Sequence, residues 1–291
     1  CDLVGDKPDG RYRAFAERQI NYILGDNPRE ASYICGFGEQ SPMQPHHRTA
    51  HGSWNDQLDD PAPNRHVLWG ALVGGPASLD DFDYIDVRND YIANEVACDY
   101  NAGLTGALAR MASVYGGTPY PGAEFPPVES SYGKEMFVEA SVIEDAETFT
   151  TIRCMLNNRS AWPARGSDAM SFHVYIDLSE VFAAGFDVGD VTVDSGFTDG
   201  ATVSGLQPVD GQQQLYFIEV DYAGSLIVPG LGTSYRRECQ MTIGLPADAP
   251  STAWSRTNDP SLTGLPVGQS LITKTEMMPV FDAGVLIYGE Q

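Results

Sequence analysis

Positive charge is scarce in this sequence: 17 Lys and Arg stand against 40 Asp and Glu, a formal charge of −23 over 291 residues. A surface of that sign repels the phosphate backbone of nucleic acids and the headgroups of anionic lipids, so neither is expected as a partner. Long apolar runs are missing as well. Nothing approaches the roughly 18–20 consecutive apolar residues of a membrane-spanning helix, and residues 1–13 do not read as a signal peptide. The five cysteines (Cys1, Cys35, Cys98, Cys154, Cys239) are odd in number, widely spaced and without a C-x-x-C pair, which indicates neither a zinc site nor a disulfide framework. No internal repeat is visible. Because the chain starts at Cys1 and runs straight into hydrophilic sequence, the natural polypeptide is expected to begin upstream.

What is present suits one large or two medium globular domains: 42% hydrophobic residues, with 30 Gly and 19 Pro as punctuation. Residues 11–24 place Tyr12, Phe15, Ala16, Ile20, Ile23 and Leu24 near helical spacing, with Gly25 and Asn27-Pro28 as a stop. A second helix is expected from Asp90 to about Tyr115, ended by Gly116-Gly117. Between the two lies a long loop rich in Gly, Pro, His and Asp, a length that points to function. Residues 118–133 carry four prolines and no periodicity, and read as an extended connector rather than a packed element. Beyond it, residues 136–142, 149–156, 171–178, 214–222 and 237–245 alternate as strands, which predicts a β-sandwich.

Two groups of residues could carry chemistry. Glu95 and Asp99 stand four apart, on one face if that stretch is helical, and a carboxyl beside another carboxylate gains the raised pKa that a general acid needs. Acidic residues at a helix start also simply favour the positive end of its dipole. His46, His47 and His51 lie within six residues, but Pro42, Pro45 and Gly52 argue for loop, against the helix that H-x-x-x-H metal binding requires. Imidazoles, Arg48 and Trp54 on one loop suit a sugar, with polar edges for hydroxyls and an indole for the ring face. A packed loop of satisfied histidines is the other reading.

The blocks FAERQINYILGDNP, SYICGFGEQSPMQPHHRTAHGSW, NRHVLWGALVGGP and YIANEVACDYNAGLTGALARM, in this order, resemble the C-terminal end of a glycoside hydrolase family 9 catalytic domain. Its acidic signature is matched at Tyr84, Asp86, Tyr91, Glu95, Ala97, Asn101 and Ala102, and its histidine signature at Ser32, Ile34, Gly38, Pro45, His46 and Arg48; Cys35 and Gln40 depart from the usual residues. The resemblance implies that Glu95 is the general acid, that Asp86 is the second signature carboxylate, and that His46 and Arg48 hold the glucan beside His47 and Trp54. It also implies inversion, with a base that lies in an N-terminal motif of the family and has no counterpart seen in residues 1–291. The missing N-terminal barrel segment would then be a partner of this piece, which alone would be inactive.

Residues 134–291 resemble a family 3 carbohydrate-binding module, most specifically at Asn157-Asn158-Arg159-Ser160-Ala161-Trp162-Pro163. The implied fold is a nine-stranded sandwich. With Trp162 and Trp254 its only tryptophans, the module is expected to hold a single glucan chain and feed it to the cleft rather than grip crystalline cellulose. The family usually holds a structural calcium, and Asn258 and Asp259 with Asp177 resemble its ligands; an Asn-Asp turn without an ion is the alternative. The expected fold is thus multidomain: the C-terminal part of an all-α (α/α)6 barrel in 1–117, a proline-rich linker in 118–133, and an all-β, jelly-roll-like sandwich in 134–291. The expected function is endo-β-1,4-glucanase, acting on cellulose or another β-1,4-glucan, with no catalytic cofactor and an extracellular location inferred from the polymer. The alternative is a non-catalytic cellulose-binding protein with a vestigial catalytic segment.

Overall fold

A glycine ends the first helix where the sequence places its stop. Helix α1 (Arg11–Leu24) closes on Gly25, whose N–H reaches back to the carbonyls of Asn21 and Tyr22 at φ 125°, a conformation that L side chains rarely adopt. The computed structural model describes residues 10–118, 124–129, 133–161 and 163–290. Trp162, Cys1 and parts of the proline-rich segment lie outside them. Backbone contacts divide the chain into two units, residues 1–53 with 57–131 and residues 54–56 with 132–291.

In the first unit, α2 (Arg48–His51) is a single turn and α3 (Cys98–Tyr115) is the second long helix. Ile20 of α1 and Leu104 of α3 meet around Ile34, with Leu24, Leu108 and Met111 packed at the edge. A second small cluster joins Tyr33, Cys35, Val73, Tyr84 and Ala93. Cys35, a departure from the usual signature residue, is 1% exposed and fits this core. Helix α3 starts eight residues later than the expected Asp90. The reason is competition for backbone groups: the Asp90 carboxylate accepts from the N–H of Ile92 and Ala93, and Gly75 N–H takes the carbonyl of Ala93. Glu95 and Asp99 therefore do not share a helix face.

Residues 124–129 of the expected extended connector are exposed and are tied to the first unit at two points. Phe125 meets the Trp69 ring edge-on at 5.7 Å, while Glu129 accepts from Val67 N–H at 2.9 Å and pairs with His66 at 2.7 Å. Proline-rich composition predicts extension, but one ring and one carboxylate suffice to anchor the strip.

The second unit holds β1 (Met136–Asp145), β2 (Phe149–Asn158), β3 (Met170–Asp177), the short helix α4 (Ser179–Ala183), β4 (Thr192–Phe197), β5 (Thr202–Val203), β6 (Gln207–Pro208), β7 (Leu215–Asp221), β8 (Arg236–Gly244), β9 (Thr273–Thr275), β10 (Val280–Asp282) and β11 (Val285–Tyr288). One sheet runs β4-β8-β2-β1-β9 and the other β11-β10-β3-β7-β5, with β6 also on β7; every pairing is antiparallel. Eleven described strands thus stand where nine were implied, and the extra ones are as short as two residues. Alternation builds one core: Ile152, Cys154 and Leu156 from β2, Phe172, Val174 and Ile176 from β3, Ile218 and Val220 from β7, and Cys239, Met241 and Ile243 from β8 are all at most 1% exposed. Trp254 belongs to this core, 5% exposed, with its indole N–H on the Thr150 hydroxyl.

The block around Asn158 earns its specificity through hydrogen bonds. The fully buried Asn158 amide donates to the carbonyls of Arg165 (2.6 Å) and Ile227 (3.0 Å), and its oxygen accepts from Ser160 N–H and hydroxyl. Each buried carbonyl left without a donor costs about 1–3 kcal/mol. Asn158→Ala is therefore expected to destabilise the second unit by about 2–4 kcal/mol in urea unfolding, whereas Asn158→Ala without a measurable loss would contradict this role.

Candidate active site

Among the sequence-predicted residues, His46 and Glu95 are brought side by side. Their segments form an isolated parallel bridge, with His46 N–H on the Asn94 carbonyl at 2.8 Å. Glu95 is exposed, and the Tyr100 hydroxyl donates to its main-chain oxygen at 2.5 Å. The imidazole of His46 contacts the Arg88 carbonyl through Nδ1 at 2.7 Å; a carbonyl can only accept, so Nδ1 carries the proton. Nε2 then points elsewhere. The Tyr91 ring stands 6.4 Å from the imidazole in an edge-on arrangement and is 66% exposed.

Asp86 is held differently from Glu95. Its carboxylate accepts from Met43 N–H at 2.8 Å and from Gln44 N–H at 3.0 and 3.2 Å, so both oxygens bind the chain that leads into His46. His47 caps α2, where its Nδ1 accepts from Ala50 N–H at 3.2 Å, and burial lowers its pKa. His51 Nε2 donates to the Pro61 carbonyl at 2.9 Å, and burial lowers its pKa too. One nitrogen of each of these i, i+4 imidazoles is thus engaged with the backbone. Arg48 is exposed on α2, and Trp54, half-buried, groups with the second unit.

Four residues that pattern reasoning missed hold this arrangement. Asn94 has no exposed surface: its oxygen accepts from the Tyr84 hydroxyl at 2.6 Å and its nitrogen donates to the Ile85 carbonyl at 2.7 Å. Arg88, 6% exposed, donates to the carbonyls of Leu58, Pro61 and Ala62 and to the Asn64 side chain at 2.7 Å. Asn64 in turn donates to the Pro45 carbonyl at 3.1 Å. Gly74 allows the backbone contact beneath: a Cβ there would stand 2.2 Å from the Ile92 carbonyl.

In the second unit, Asp177, Asn258 and Asp259 converge together with Glu180. Asp259 is 1% exposed; one oxygen accepts from Asp177 N–H at 2.9 Å and the other has no hydrogen-bond partner. Burial, with the nearby charges of Glu180 and Asp177, pushes its carboxyl up to about 8. The Asn258 amide lies 2.7 Å from Glu180 and 3.4 Å from the Asp177 carboxylate. No group of three or more His, Cys, Asp or Glu among the described residues is already gathered to hold a metal ion. Carboxylates of Asp177, Glu180 and Asp259 around an unpartnered buried oxygen suit a hard cation, whereas Asn258 turns its nitrogen toward them and would have to present its oxygen to join them.

The outer face of the first sheet is a polar ladder. Arg153 grips Glu238 with two bonds of 2.9 and 2.8 Å, Gln240 donates to Glu238, and Thr151 meets Thr242 at 2.9 Å.

Residues 3–108 match the family described as Glycosyl hydrolase family 9, and residues 137–289 the family described as Cellulose binding domain. Endoglucanase A of Bacillus pumilus is 45% identical over 290 residues, which covers 99% of this chain and 43% of that protein. Endoglucanase 2 of Persea americana is 41% identical over 113 residues, 34% of this chain and 85% of the relative. The crystal structure of endoglucanase CelQ from Clostridium thermocellum complexed with cellobiose and cellotriose is similar with a TM-score of 0.90 and 43% identity, over 99% of this chain and 47% of that one. The chain belongs to glycosyl hydrolase family 9, in the arrangement that joins a family 9 segment to a cellulose binding domain. It spans less than half the length of the Bacillus and Clostridium relatives.

Proposed function

We propose that this chain carries the acid side of an endo-β-1,4-glucanase that hydrolyses internal bonds of cellulose with inversion, together with the module that holds the glucan. The observation that carries this reading is the bridge that sets exposed Glu95 beside His46, with the Tyr91 ring next to the imidazole. Glu95 gives its proton to the glycosidic oxygen as the bond to the anomeric carbon breaks, while a second carboxylate, about 6.5–9.5 Å away, draws a proton from the attacking water. That base is not assigned to a residue of this chain. His46 offers Nε2 to a sugar hydroxyl, Arg48 holds the glucan from α2, and Asp86 acts by tying the 43–44 backbone rather than by touching substrate. The helices around residues 11–115 belong, in this reading, to an (α/α)6 barrel, and the domain boundary falls within 118–133. The polar ladder on the first sheet suits a single glucan chain fed toward the cleft. An insoluble polymer substrate goes with an extracellular protein.

The test is a chimera in which this chain replaces the matching part of the Bacillus pumilus enzyme. Reducing-sugar release from amorphous cellulose is expected, with Glu95→Gln lowering kcat by about 10²–10⁴-fold, the usual worth of a general acid. A folded chimera that is silent with Glu95 in place would favour the non-catalytic reading.

The oxygens at Asp259 suit calcium, which Asp177 and Asp259 would hold together with Asn258 once its amide presents its oxygen; bound there, it would tie residues 258–259 to the end of β3. At a hundredfold excess over Kd, calcium should add about 2.7 kcal/mol and raise the Tm of the chain in calorimetry, but not that of Asp259→Ala. A Tm indifferent to calcium contradicts the assignment.

A further inference from the structure

Two cysteines lie side by side in the core of the sandwich. Cys154 of β2 and Cys239 of β8 are direct partners in the antiparallel register, both free thiols with no exposed surface. They are the only cysteines beyond residue 98, so each has one possible partner within its own unit. Their spacing in the sequence conceals the pair, and only the strand register brings it out. A buried cysteine ordinarily fills space as a small hydrophobe, and Cys154 does pack, with Sγ 3.8 Å from the Met278 Sδ. Packing alone does not call for sulfur at both members of one cross-strand pair.

The spacing suits a bond. At one end of the β2–β8 ladder Asn158 N–H reaches the Tyr235 carbonyl at 2.7 Å, and at the other Leu245 N–H reaches the Thr148 carbonyl at 2.8 Å. Both are opposed pairs and the register between them is unbroken, so the even-numbered residues of β2, Cys154 included, occupy hydrogen-bonded positions. Cα atoms at such positions stand about 5.5 Å apart, in the middle of the ~4.4–6.8 Å that a disulfide spans. Opposed Cβ atoms are about 4.5–5.5 Å apart against ~3.5–4.5 Å when bridged, so the strands draw together on bonding and the bond stays reducible. Burial pushes the Cys239 thiol up to about 12 and that of Cys154 well above the ordinary thiol range. Thiolate, the reacting form, is scarce in the closed sandwich, and exchange belongs to folding or to moments when β2 and β8 part.

We propose that Cys154 and Cys239 are an oxidation site, joined as a β2–β8 disulfide by exchange with a small-molecule disulfide such as oxidised glutathione. One thiolate attacks the glutathione disulfide and releases one reduced glutathione; the second attacks the mixed disulfide and releases another. Two protein thiols are thus oxidised as one external disulfide is reduced. Such a bond persists in oxidising surroundings, which the extracellular reading supplies, and it involves neither Glu95 nor the glucan.

Refolding the full chain from urea in oxidised or in reduced glutathione, followed by peptide mapping without reduction, tests it. The expected product in oxidised glutathione is a peptide pair joining Cys154 to Cys239, lighter by two hydrogens than its parts; it is lost in reduced glutathione and in Cys239→Ala. Cys154 and Cys239 recovered from oxidised glutathione as thiols that iodoacetamide reaches only in urea are core filling, which overturns the proposal. Mixed disulfides with glutathione or with Cys98 in place of the 154–239 link overturn it as well.

Discussion

A buried asparagine amide is the constraint on which the candidate site depends. Asn94 uses all four of its hydrogen-bonding groups: the main-chain oxygen on His46, the main-chain nitrogen on Asp90, and the side chain between Tyr84 and Ile85. Each is out of water, so each would cost free energy if left unmade. The result is that two loops distant in sequence are locked in one register at His46 and Glu95. Arg88 performs the same service for the other wall, since its carbonyl orients His46 while its guanidinium gathers residues 58–64. A guanidinium has five donors in a rigid fork, which is why one side chain can satisfy so many loop carbonyls.

The two units solve the stability problem by different means. The sandwich buries a single continuous core from both sheets. The first unit has two small apolar clusters and relies on polar side chains to hold its irregular segment between α1 and α3. Catalytic groups on such loops are positioned only as well as the hydrogen bonds beneath them. Positioning residues therefore outnumber the groups that would touch a sugar.

Regular periodicity was legible in the sequence, and what overrides it was not. Helix α1 and strands β1, β2, β3, β7 and β8 lie where spacing places them; the strands feed one buried core, and α1 packs through Ile20, Ile23 and Leu24 while Tyr12 and Phe15 stay exposed. The delayed start of α3 escaped because a single Asp90 side chain outbids the helix for local N–H groups. Strands of two or three residues carry no pattern to read. Glu95 and His46 stand out by resemblance, whereas Asn94 and Arg88 look like ordinary surface residues until the loops close over them. His47 had a local signal, a polar residue directly before a short turn of helix, that marks it as a cap.

The central claim is that Asn94 serves chemistry through Glu95. Asn94→Ala, Glu95→Gln and the double variant, measured for kcat and KM in the chimera on a soluble cello-oligosaccharide, test it directly. The account predicts that Asn94→Ala lowers kcat with KM little changed, and that the double variant is no worse than Glu95→Gln alone. Losses that multiply across the two substitutions, or an Asn94→Ala effect confined to KM, would contradict it.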